Sequence, residues 1–210
     1  MTFAEELRKQ SEPEWTEAIQ HRFVQELYEG KVDRQVMAKY LVMDYRFVDH
    51  FISLIGMAIA SADKFSSRLR FSHFAGFIAA DENTYFVRAC EKLGVTEETK
   101  AAMPDNEATK GFKDLMKQAA DSHNYAAILS VLYVAEALYY DWGRRAPQPL
   151  PEDFVYAEWI TLHDYPGFRE LVEFLGDELN RVGPRDREVA TRYFSEAVKL
   201  EKRFFDQAYQ

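Results

Sequence analysis

Residues Tyr133–Gly143, YVAEALYYDWG, set Glu136 among tyrosines and a tryptophan in a largely apolar run. Leu129, Leu132, Glu136, Tyr139 and Gly143 step by three and four. At 3.6 residues per turn they share one face of a helix, and the acid falls on the side that should look into a core. A buried acid needs a partner or a task, because desolvating an unpaired charge is costly.

The same signal recurs on both sides of this stretch. Met37, Tyr40, Asp44, Phe47, Phe51 and Ile55 form one apolar stripe, and Ala190, Phe194, Ala197, Glu201, Phe204 and Ala208 form another. Each aims one carboxylate inward among aromatic rings. Any one acid has a plain explanation: solvation where its helix leaves the core, or an ion pair with a neighbouring Arg or Lys. If the three converge, repulsion and desolvation raise at least one pKa toward neutrality, which suits a carboxyl group to proton transfer. The site expected from the residues is an aromatic-walled pocket inside a helical bundle, holding two or three carboxylates.

Only 9 Gly and 7 Pro punctuate the 210 residues, and the spacing between them is helical throughout. The expected helices begin at about Phe3, break at Ser11-Glu12-Pro13 and resume as Glu14–Tyr28 up to Gly30. Asp33 reads as the N-cap of Arg34–Ala60, and Gly94 as the left-handed end of Ser66–Leu93. Shorter helices follow at Thr96–Ala102 and Glu107–Ala120, then Tyr125–Arg144. After the Ala146–Pro151 connector come Glu152–Leu162, Gly167–Arg181 and Asp186–Tyr209. The expectation is one all-α domain over residues 1–210, a multi-helix bundle with short connections.

Composition narrows the function classes. An apolar fraction of 47% with 15% aromatics specifies a folded globule, and a net charge of −9 opposes nucleic acid and anionic membrane as partners. No apolar run reaches the ~18 residues of a membrane span. MTFAEELRKQ has no basic-then-apolar leader pattern, and Cys90 is the only cysteine, so the cytoplasm is the expected compartment. Cys90 has no base nearby in sequence and reads as a structural thiol. None of His21, His50, His73, His123 and His163 has a Glu three residues before it, so a carboxylate-bridged di-iron site lacks its ligands; no metal or other cofactor is expected.

With Asp44, Tyr139 and Glu201 in view, the chain resembles the TenA/thiaminase II family, which has the haem-oxygenase-like all-α fold. The likeness spans the whole length and is carried by EWTEAIQHRFVQEL, YLVMDYRFVDHF, LYYDWG, YAEWITLHDYPGF and LEKRFFDQAY in that order. It implies thiamin salvage by hydrolysis of an aminomethyl- or formylaminomethyl-pyrimidine, in a homotetramer. It implies that Asp44 holds the aminopyrimidine edge, that Glu201 is the acid/base and that Tyr139 hydrogen-bonds the catalytic group. Phe47 and Phe112 stand where the family often has tyrosines and can still stack on the ring. His163 stands in place of another tyrosine, as a substitute donor.

One departure bears on mechanism. The thiaminase II branch carries its nucleophilic cysteine at the position of Ala135, and a methyl group cannot form a covalent adduct. A second, E-type branch uses a glutamate instead, and Glu136 next door is the candidate, although one position is about 100° of helix rotation. The expected activity is therefore hydrolysis by carboxylate-activated water through Glu201 and Glu136. The rival readings are a non-catalytic pyrimidine-binding or regulatory protein and an oxidase or oxygenase on the same scaffold.

Overall fold

The computed structural model describes all of residues 1–210, as twelve α-helices and no strand. In chain order they are α1 (Phe3–Gln10), α2 (Glu14–Ile19), α3 (Arg22–Tyr28), α4 (Arg34–Ser61), α5 (Phe65–Phe77) and α6 (Asn83–Leu93). Then follow α7 (Glu97–Ala102), α8 (Glu107–Asp121), α9 (Tyr125–Gly143), α10 (Phe154–Leu162), α11 (Pro166–Val182) and α12 (Arg187–Ala208). A π turn, Ile78–Glu82, joins α5 to α6, and a 3₁₀ turn, Gly183–Asp186, leads into α12.

The helix that carries YVAEALYYDWG is the axle of the bundle. Only Tyr125, Tyr133, Glu136 and Tyr140 in α9 escape full burial, because α12, α11, α4, α8 and α2 all pack around it. A helix apolar on every side is stable only when surrounded in this way. The core is continuous, with 63 buried residues in one cluster, so this is one all-α domain.

Local chemistry sets the helix ends. The Asp33 carboxylate accepts from Gln35 N at 2.8 Å and opens α4, and Asn124 accepts from Ala127 N at 3.0 Å and opens α9. Gly94 closes α6 at φ +75°, the left-handed conformation that lacks a Cβ penalty only for glycine.

Two expected helices are divided. Glu14–Tyr28 breaks at Gln20-His21, where the His21 ring accepts from Phe23 N at 3.0 Å and starts α3 as a new helix. The Ser66–Leu93 helix is interrupted by the π turn, whose extra residue per turn re-aims the side chains that follow. Glu152–Leu162 begins two residues later than expected, at Phe154, because Asp153 caps it through Val155 N.

Candidate active site

Five helices, the π turn and one residue beyond α10 line a single cavity beside α9. The α4 stripe contributes Asp44 and Phe47, α8 contributes Phe112, α9 contributes Ala135, Glu136 and Tyr139, and α12 contributes Glu201. His163, just beyond α10, completes the set, so all seven residues singled out from the sequence line one space. The rings are ordered as walls: Phe47 meets Phe112 edge-to-face at 5.0 Å between centroids, and Tyr139 lies 4.9 Å from the His163 ring.

None of the inward acids is explained by an ion pair or by solvation at a helix exit. Asp44 and Glu201 are 6% and 2% exposed, Glu136 is half-buried, and none takes part in a hydrogen bond or salt bridge with the protein. Glu201 Oε1 is fully enclosed without a partner. Burial first, and then the neighbouring acids, push all three carboxyl groups well above the ordinary range: Glu82 acts on Asp44, Glu82 and Asp44 on Glu136, and Asp44 and Glu136 on Glu201. Burial and mutual repulsion therefore both favour the protonated form of each of these carboxyl groups.

Two residues that the sequence reading left unassigned belong to this cavity or support it. Glu82 ends the π turn and lines the cavity as a fourth carboxylate, half-buried and pushed up to about 7 by burial. Its signal was present, since Phe71, Phe74, Ile78, Glu82, Tyr85 and Ala89 form a stripe with one acid, as in the other three helices. Tyr40, one turn before Asp44, stands behind the cavity with its hydroxyl 2.7 Å from that of Tyr139. Burial raises both phenols well above 10, so both remain neutral.

His163 differs from the donor expected of it. Its Nδ1 lies 2.7 Å from the Trp159 carbonyl oxygen, which can only accept, so Nδ1 carries the proton. Burial lowers its pKa to about 4, leaving Nε2 as an acceptor near neutral pH. The His163 backbone packs directly on Gly143, where a Cβ would meet His163 O at 2.8 Å. The last residue of the α9 stripe is thus small because α9 and the end of α10 touch there.

The TENA/THI-4/PQQC family profile matches residues 8–210. The chain belongs to the TENA/THI-4/PQQC family. It is similar to an aminopyrimidine aminohydrolase of Bacillus subtilis (strain 168), 27% identical over 86% of this chain and 75% of that protein. It is thus distantly related to aminopyrimidine aminohydrolases. In fold it matches a TenA homologue from Pyrococcus furiosus, with a TM-score of 0.87 and 25% identity over 99% of this chain and 100% of the other. A Shewanella denitrificans domain of unknown function with a haem oxygenase-like fold superposes with a TM-score of 0.75, at 16% identity over 98% and 91% of the two chains. The bundle is accordingly haem oxygenase-like. The fold by itself assigns no mechanism.

Proposed function

We propose that this family member is a thiamin-salvage hydrolase of the cysteine-lacking E-type, acting on aminomethyl- or formylaminomethyl-pyrimidines by carboxylate-assisted attack of water. One observation above all supports the reading: unpartnered carboxyl groups share an aromatic cavity with Tyr139, while residue 135 supplies only a methyl group. A protonated Asp44 offers an O–H donor and a C=O acceptor side by side, the complement of a ring nitrogen beside an exocyclic amino group. Phe47 and Phe112 present ring faces and edges to the bound heterocycle.

Glu201 and Glu136 divide the proton work. With an aminomethyl substrate, the water oxygen bonds to the methylene carbon as the C–N bond breaks. The nitrogen, bound as its ammonium, leaves as neutral ammonia, and the proton that water loses goes to a carboxylate. With a formylaminomethyl substrate, water adds to the formyl carbon, the amide C–N bond breaks, formate leaves, and the amine nitrogen takes a proton from a carboxylic acid. Tyr139, neutral and linked to Tyr40, faces the same cavity as the two glutamates. No covalent enzyme intermediate is required in either case.

Glu201→Gln and Glu136→Gln should each lower kcat by about 10²–10⁴, the range for a lost general acid or base, without lowering thermal stability. Wild-type turnover of both pyrimidines by both variants would sink the reading. The methyl group at Ala135 also favours a second reading, a pyrimidine-binding protein without turnover. Tight binding by calorimetry with no product over hours would select it. The assembly we carry forward is a homotetramer in the cytoplasm, checked by light scattering of the purified protein.

A further inference from the structure

The cavity is unbalanced in charge. Asp44, Glu82, Glu136 and Glu201 all line it, yet it contains no Lys or Arg, and its one histidine is held neutral. None of the four acids is bonded to the protein, and Glu201 Oε1 is enclosed at a residue exposure of 2% with nothing to accept from. An enclosed oxygen of this kind has lost water and gained no donor, which the bound ligand must make good. No three of the His, Cys, Asp and Glu side chains are grouped as ligands around one ion. Acids spread along a cavity fit an organic cation that spans it.

The four acids are also graded in depth. Asp44 and Glu201 are buried, while Glu82 and Glu136 keep partial access to solvent. Glu82 comes from a different element, the π turn between α5 and α6, rather than from α4, α9 or α12. A π turn is retained at a cost in helix geometry and is common at functional sites. Here it ends on the one residue of its stripe that is not apolar.

We propose that Glu82 is a specificity-determining residue: its carboxylate receives the protonated amino group of a substrate whose aromatic ring lies between Asp44 and the phenylalanines, so the site prefers an arylmethyl-ammonium to its neutral formamide or alcohol. The inference rests on the hydrolase reading for its substrate class and deepens it. An ammonium group held at the Glu82 carboxylate stays protonated and departs as neutral ammonia with no further proton, whereas a formamide brings no charge to the cavity.

The test compares wild type, Glu82→Gln and Glu82→Asp with aminomethyl-, formylaminomethyl- and hydroxymethyl-pyrimidine. Binding is followed by calorimetry, and turnover is measured where it occurs. Wild type should bind the amine at least about 10-fold more tightly than the alcohol, the size of a charge-assisted hydrogen bond. Glu82→Gln should abolish that preference and raise KM for the amine about 10-fold, while kcat/KM for the formamide changes less than about 3-fold. Glu82→Asp should retain most of the preference. Equal losses on both substrates, an unchanged preference in Glu82→Gln, or no preference in wild type would each overturn the proposal. Since the binding arm needs no turnover, an inactive wild type that still discriminates through Glu82 fails the hydrolase reading alone.

Discussion

The protein buries acids in two regions under opposite rules. Around Asp141, 3% exposed, the Trp15 indole donates at 3.0 Å and Arg8, Arg144 and Arg145 close in at 2.7, 3.0 and 2.9 Å. Glu178 is similar, accepting from Ser67 and Tyr125 and paired with Arg181 at 2.8 Å. Burial works to raise both carboxyl groups, but their donors win and hold both below the ordinary range. In the cavity, Asp44 and Glu201 are buried to the same degree with no donor at all, and burial carries them the other way. Depth therefore does not distinguish a structural acid from a chemical one. The partners do: an acid with its lone pairs filled fastens helices together, and one left open has room for a substrate.

Stability should separate the two kinds of acid most widely. Asp141→Asn removes the charge that three arginines share and should cost about 2–3 kcal/mol in a denaturant melt, below the usual 3–5 kcal/mol for a broken buried pair because the arginines are 37–50% exposed. Glu201→Gln, at least as buried, should cost nothing or stabilise, since it relieves an uncompensated acid. Loss of stability in Glu201→Gln equal to that in Asp141→Asn would mean that the cavity acids are structural after all.

A second break is in pH. The Glu82 carboxyl titrates at about 7 in the fold against 4.5 for a free glutamate, so the folded state holds its proton more tightly. Its contribution to stability is then intact below about 4.5 and is lost as pH rises through about 7. Glu82→Gln removes that dependence. The variant should melt with wild type near pH 4.5 and a few degrees above it at pH 8, in calorimetric scans of both. A gap of the same size at both pH values would assign the difference to packing instead of charge.

How much of this was legible follows from the same physics. Apolar spacing identified α4, α9 and α12 and the acid on each, because a side chain's face is fixed by 3.6 residues per turn whatever surrounds it. Asp33 and Gly94 marked helix ends since their chemistry is local. Glu82 stands on an equally clear stripe, but spacing alone reads that stripe as one unbroken helix; the π turn that presents it depends on tertiary packing. The His163 tautomer was not legible, being set by a carbonyl that is free only because α10 ends there. The break at His21 follows from a ring accepting a backbone N–H, which hydrophobic spacing does not encode.

The smallest effect tests partnering inside the site itself. Tyr139 is the one chemical group of the cavity with a hydroxyl partner, Tyr40 at 2.7 Å, and Tyr40 lies outside the lining. Tyr40→Phe removes one neutral hydrogen bond and leaves the ring, so it should cost about 1 kcal/mol of stability. If Tyr40 acts by orienting the Tyr139 hydroxyl, kcat should fall about 3- to 10-fold with KM unchanged, and Tyr40→Phe should have no further effect in a Tyr139→Phe background. Additive losses in that double-mutant cycle would separate the two tyrosines. Tyr40 would then belong with Asp141 and Glu178, among the groups that hold helices together.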